Sequence, residues 1–133
     1  MATVRKEIPL RVSAADVWDA IRDIGALHTR LVPGFVVDTR LEPGARIVTF
    51  ANGMVVREPI VTLDDAAMRL VWCAEGAQTT HYNSSAQVVA DGEAACRVIW
   101  ISDFLPDAVA PDLDAAMTAG AAAMQQAFGR AME

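Results

Sequence analysis

The chain has 133 residues, of which 53% are hydrophobic, and a net charge of -6. That length suits a single domain with a core of its own, and the apolar content excludes intrinsic disorder. The acidity argues against nucleic-acid partners, which are held through Lys and Arg on phosphates, and against attraction to anionic membranes.

Residues 3–9 alternate, with Val4, Lys6 and Ile8 on one side and Arg5 and Glu7 on the other, which predicts a first strand. Ser13-Ala14-Ala15-Asp16 resembles a capping box, and Val17, Trp18 and Ile21 follow at helical spacing, so a helix is expected to run to about Asp23. Gly25 interrupts it. A second short helical piece runs from Ala26 towards Leu31, and Pro33-Gly34 stops it. The period then changes to that of strands over Phe35–Leu41, Arg46–Phe50, Met54–Leu63, Arg69–Ala74, Thr80–Val89 and Ala94–Phe104. Turn signals separate them at Glu42-Pro43-Gly44, Asn52-Gly53, Asp64-Asp65, Glu75-Gly76 and Asp91-Gly92. Such short connections imply antiparallel pairing. Pro106 ends the sheet. Pro111 sits in the first turn of a last helix of about 20 residues, with Asp112 and Asp114 at its positive end. Leu113, Met117, Gly120, Ala121, Met124 and Phe128 share one face of that helix, a face of mostly small or flexible side chains.

Several chemistries are absent. No apolar run reaches the ~18 residues of a membrane span, and MATVRKEIPL is not a signal-peptide start, so a cytoplasmic protein without membrane insertion is expected. Cys73 and Cys96 read as free thiols in a reducing compartment. Lys6 is the only lysine and lies near the N-terminus, against Schiff-base catalysis. His28 and His81 belong to no cluster with metal-ligand spacing, so neither metal nor cofactor is expected.

The order strand, two short helices, six strands, long helix is similar to that of the helix-grip superfamily. Its members include START lipid-transfer domains, birch-pollen-type allergens, polyketide cyclases/aromatases and abscisic-acid receptors. Ser13-Ala14-Ala15-Asp16-Val17-Trp18, Pro43-Gly44-Ala45-Arg46, Leu63-Asp64-Asp65, the paired strands around Trp100, and Leu105-Pro106 before the final helix carry the resemblance. It implies an α+β fold: residues 1–133 form a single ligand-binding domain, in which a curved seven-stranded antiparallel sheet wraps around the C-terminal helix. It also implies a cavity between sheet and helix. REPIVTLDD (57–65) resembles the receptor segment that carries a pocket glutamate, here Glu58, and the receptors' pocket tyrosine and serine fall on Tyr82 and Ser84. The receptors' ligand-pairing lysine is missing, and Ala51-Asn52-Gly53-Met54 replaces their gating loop.

THYNSSAQVV (80–89) is polar on both faces, unlike an ordinary strand over a core. A cavity wall explains this, because a ligand or water can satisfy its polar groups. A three-residue loop ending at Gly92 with a bulge would pair Tyr82 with Trp100, Ser84 with Val98 and Ala86 with Cys96. A two-residue loop would instead bring Arg97, Ile99 and Ile101 in beside Tyr82; the first is preferred because it leaves Arg97 and Asp103 in water. Tyr82, Ser84, Ala86, Val88, Cys96, Val98, Trp100 and Ser102 then share the inner face.

The resulting expectation is a protein that holds a small hydrophobic molecule, aromatic, polyketide-like or lipid-like. Met54, Glu58, Tyr82, Ser84, Val98, Trp100, Met117, Ala121 and Met124 are the candidate ligand-binding residues. The alternative is a cyclase, aromatase or dehydratase with Glu58 and Tyr82 as acid–base groups. Against a catalytic Glu58 stands a plain ion pair with Arg46, Arg57 or Arg69. A monomer or weak homodimer is expected.

Overall fold

A computed structural model of the protein describes residues 1–76 and 78–130. Strand β1 (Ala2–Leu10) buries Val4, Ile8 and Leu10, as its alternation requires. Helix α1 (Ala14–Arg22) begins where the Ser13 Oγ accepts the Asp16 N–H at 3.2 Å, and it buries Val17, Trp18 and Ile21. The Trp18 indole N–H and the Arg22 guanidinium both donate to the Asp65 carboxylate, at 2.9 and 2.8 Å. That carboxylate pins the helix to the turn between β4 and β5, the fourth and fifth strands (Val55–Asp64 and Arg69–Cys73).

Beyond α1 the chain makes a 3₁₀ turn (Ile24–Ala26) and a π-helical turn (Leu27–Leu31). The latter is closed by the Val32 N–H on the Leu27 carbonyl at 3.0 Å. At Gly25 the chain comes close to the strand that carries Leu41: a Cβ would stand 3.0 Å from the Leu41 side chain. Strands β2 (Val36–Glu42), β3 (Ala45–Phe50), β6 (His81–Ala90) and β7 (Cys96–Leu105) complete one seven-stranded antiparallel sheet in the order β1-β7-β6-β5-β4-β3-β2. The expected architecture is therefore the observed one.

One register differs from expectation. Strands β6 and β7 are joined by a five-residue loop, Asp91–Ala95, closed by the Asp91 N–H on the Ala95 carbonyl at 2.9 Å. Tyr82 pairs with Phe104, Ser84 with Ser102 and Ala86 with Trp100, rather than with Trp100, Val98 and Cys96. Gly92 does adopt a positive φ of 82°, but it sits inside a wider loop, and the second strand starts at Cys96 instead of Ala94. The displacement is an even number of residues, so every side chain keeps its expected face.

A short 3₁₀ turn (Asp107–Val109) leads into helix α2 (Ala110–Arg130), with Pro111 in its first turn. Met117, Gly120, Met124 and Phe128 face the sheet and are buried. Gly120 leaves no room for a side chain: a Cβ there would lie 2.9 Å from the rim of the Trp100 ring and 3.2 Å from Phe35. The indole cannot simply swing aside, since its Nε1–H donates to the Ser84 Oγ at 2.9 Å. Gly120→Ala is therefore expected to destabilise the protein by about 1–3 kcal/mol through overpacking, despite the gain in helix propensity of ~1 kcal/mol that the same change brings in a free helix. A lowered urea midpoint with an unchanged m-value checks this, and a midpoint raised above wild type refutes it.

Candidate functional site

Two adjacent spaces lie between the inner face of the sheet and the helices. The inner chamber, about 70 Å³, is walled by Ile21, Leu27, Leu31 and Val32 from the N-terminal helical region, by Leu70, Trp72, Ala86 and Trp100 from the sheet, and by Met124 from α2. The outer chamber, about 260 Å³, is bounded by Met54, Val56, Ala74, Tyr82, Leu113 and Ala116. Phe35, Phe50 and Glu58 border both. The two phenylalanines meet edge to face, centroids 5.4 Å apart. A surface groove between Asn52, Met54, Gln78, Thr79 and the start of α2 shares Asn52, Met54, Leu113 and Ala116 with the outer chamber.

Among these apolar walls stands one ion pair. Arg46 on β3 and Glu58 on β4 are direct cross-strand partners, only 3% and 6% exposed. The Arg46 Nε donates to the Glu58 Oε1 at 2.8 Å, and its Nη1 to the Ile24 carbonyl at 3.4 Å. The guanidinium lies 5.4 Å from the Trp72 ring centre, a cation–π arrangement. Burial pushes the Glu58 carboxyl above its ordinary range, and the charge and hydrogen bond of Arg46 oppose that rise without cancelling it. Arg46 was foreseen only as one of three partners for a surface or rim glutamate. Its burial follows from facing Glu58 in a register that the sequence does not spell out.

The polar residues of β6 answer to one another. The Tyr82 hydroxyl bonds the Ser102 Oγ at 2.9 Å, and the Ser102 Oγ bonds the Ser84 Oγ at 2.9 Å. Ser84 also reaches the Ile101 carbonyl at 3.1 Å and accepts the Trp100 indole N–H. Ser84 and Ser102 are fully buried, so this strand is polar within because β7 completes its hydrogen bonds. Burial raises the Tyr82 pKa, and the Ser102 bond works against it. On the outer face His81 bonds Asn83 at 2.7 Å, and Asn83 bonds Asp103 at 3.2 Å.

The expected ligand-binding residues thus divide. Met54, Glu58, Tyr82, Trp100 and Met124 border the chambers. Ser84 lies behind Trp100 in the hydroxyl network. Val98 is buried in the main core, and Met117 packs with Val4 and Phe104 in a second cluster. Ala121 borders an outside groove beside Lys6, Glu7 and Gln125. Phe35, Phe50, Leu27, Leu31 and Trp72 escaped the sequence reading. The Pro33-Gly34 stop signalled a bend that turns Phe35 inward, but nothing local marked Trp72 as more than packing. His28, set on the π turn, has a buried Nδ1 without a partner among the described residues. No group of three His, Cys, Asp or Glu side chains among those residues could hold a metal ion, and Cys73 and Cys96 are free.

Removing one member of the ion pair strands the other in an apolar wall. Arg46→Met should cost about 3–5 kcal/mol, and adding Glu58→Leu should recover most of it; urea unfolding of the three proteins decides. The pH dependence has a definite sign. A carboxyl with a raised folded pKa contributes its stability fully below the ordinary value of 4.5 and loses it as the pH rises through the raised value. In the Glu58→Gln variant that downward slope should disappear. An unchanged slope would show that Glu58 titrates normally.

Residues 1–133 match the family described as polyketide cyclase / dehydrase and lipid transport. No curated protein matches the sequence. The protein XoxI from Bacillus cereus has a similar structure, with a TM-score of 0.86 at 22% identity, covering 100% of this chain and 99% of that one. Norcoclaurine synthase from Thalictrum flavum, solved with a transition-state analogue, gives 0.72 at 16% identity, over 99% and 96% of the two chains. The di-domain aromatase/cyclase BexL of the BE-7585A biosynthetic pathway gives 0.80 at 18% identity, over 95% of this chain and 46% of that one. These likenesses, all at low identity, concern the fold. The match over the whole length places the chain in the polyketide cyclase/dehydrase and lipid-transport family.

Proposed function

We propose that the protein binds a small, mainly apolar molecule between the sheet and α2, with one polar group of the ligand meeting the Arg46–Glu58 pair. The supporting observation is the contrast between the walls and that pair: the chambers are walled by largely apolar side chains, yet Glu58 borders both and its buried partner Arg46 borders the inner one. Sites for organic ligands are mostly apolar with a few placed polar groups, in volumes from ~300 Å³ upward. The outer chamber alone is near that limit, and the inner one extends it towards Trp72 and Trp100. A compact aromatic or polyketide-like molecule therefore suits it better than a long acyl chain.

A second reading has one observation in its favour. Glu58 has a raised pKa and borders the same chamber as Tyr82, an arrangement open to acid–base chemistry on a carbonyl substrate. The Arg46 bond and the Ser102 bond, however, occupy both groups internally, so binding is the preferred reading.

Anilinonaphthalene sulfonate serves as the probe, with quenching of Trp72 and Trp100 as the signal. Binding is expected to saturate, and Ala116→Phe, which fills the outer chamber from α2, should weaken it by at least about tenfold with unfolding unchanged. Native mass spectrometry of freshly purified protein should show extra mass that is lost on denaturation and is missing from Ala116→Phe. Equal probe binding by the two proteins would sink the proposal. If instead Glu58→Gln keeps full binding but abolishes turnover of a carbonyl substrate, the enzymatic reading prevails.

A further inference from the structure

The sheet has two edges, and they are finished differently. Strand β1 is closed off: Pro9 has no N–H to offer, and its carbonyl accepts from Gln125 Nε2 of α2 at 3.4 Å. Its charges are also satisfied: Lys6 pairs with Asp114 at 2.7 Å, Arg5 with Glu7 at 3.3 Å, and Arg97 with Glu7. These are the usual protections of an edge strand.

Strand β2 shares these only in part: Glu42 pairs with Arg57 and the turns after α1 pack beside the strand, but no proline interrupts it. Apart from its ladder with β3, the backbone of Val36–Glu42 makes one hydrogen bond among the described residues, from the Val36 N–H to the Val32 carbonyl at 3.1 Å. It carries two of the large exposed apolar side chains, Val37 and Leu41, at 53% and 57% exposure. Asp38 and Arg40 are exposed as well. Neither makes an ion pair among the described residues, whereas Arg22, Arg30, Arg46, Arg57 and Arg97 all do.

From Val37 to Leu41 this edge runs apolar, acidic, Thr, basic, apolar, so laid against its own reverse it meets acid with base and apolar with apolar. We infer that β2 pairs antiparallel with β2 of a second copy of this chain about a two-fold axis at Thr39. In that register Thr39 lies opposite Thr39, Asp38 opposite Arg40, and Val37 opposite Leu41, each of the last two pairs occurring twice by symmetry. Asp38 and Arg40 both lie on the outer face, since they pair with Thr49 and Ile47 of β3, while Thr39 and Leu41 face inward opposite Val48 and Arg46. Cross-strand partners on one face stand close enough for opposite charges to attract and like charges to repel. Most edge charges deter self-association, but this pair is complementary to its own copy. The bulge between Val36 and Asp38 confines the pairing to a short segment, so the dimer is weak.

Sedimentation equilibrium from micromolar to millimolar concentration tests this. Wild type is expected to show a reversible monomer–dimer equilibrium. Arg40→Asp faces Asp38 with aspartate, twice per dimer, and Asp38→Arg does the same with arginine, so each should weaken association at least about tenfold. The double variant Asp38→Arg/Arg40→Asp recreates the complement in the opposite sense and should restore it. All four proteins should keep the same near-ultraviolet circular dichroism, because neither side chain has an ion-pair or hydrogen-bond partner among the described residues. Single variants that associate like wild type, or a double variant that stays as weak as the singles, would overturn the proposal. So would a wild type that remains monomeric throughout, which would leave the edge to a strand from a different protein.

Discussion

The arrangement of the interior depends on a pair of charges that the core cannot tolerate singly. A buried guanidinium or carboxylate is costly alone, and the two become acceptable only as hydrogen-bonded neighbours. Arg46 and Glu58 reach that arrangement because β3 and β4 place them opposite each other across a hairpin whose turn contains Gly53 at a φ of 91°. A slip of one residue would send one charge to the outer face and leave the other unpaired within. The pair therefore holds the register of this hairpin. It also sets Trp72 beneath the guanidinium, and so the wall of the inner chamber.

The second determinant is the helix. Its small residues do not leave an even gap beneath it. At Gly120 the helix backbone comes almost against Trp100 and Phe35. The open space lies on either side of that contact, near Leu113 and Ala116 towards the N-terminal end and near Met124 towards the C-terminal end. A glycine under an aromatic ring divides the interior in two, and Glu58 and Phe50 border both halves.

The fold was legible because each of its signals is local: the Ser13 cap, the glycine and proline turns, and the change from helical to strand period are all read within a few residues. The faces of β6 and β7 came out as the preferred three-residue loop has them, because its error is an even number of residues; a two-residue loop would have reversed the second arm. The register itself was not legible. Asp91-Gly92 has the composition of a tight turn, but Glu93, Ala94 and Ala95 continue the loop, and no residue among them forbids a strand. The site suffered more, because membership in a chamber depends on which strands meet. Arg46 looks like any strand arginine until Glu58 faces it, and Val98 shares a face with Trp100 but stands in the packed core.

The polar strand that first suggested a wet cavity has a different role. Ser84 and Ser102 are sealed from solvent, and with Tyr82 and the Trp100 indole they form one hydrogen-bonded chain. Buried polar groups that satisfy one another fix a unique geometry where apolar ones would permit several. What they fix here is the orientation of Trp100, the ring against which Gly120 packs. The two serines thus shape the space without bordering it, and Tyr82 alone of the three reaches a chamber wall. Exchanging Ser84 for an apolar residue would act on the chambers through the indole, whereas a change at Met54 or Ala116 would act on an occupant directly. Under the proposed binding role, selectivity would vary at the outer wall while the hydroxyl chain and the ion pair keep the interior in one form.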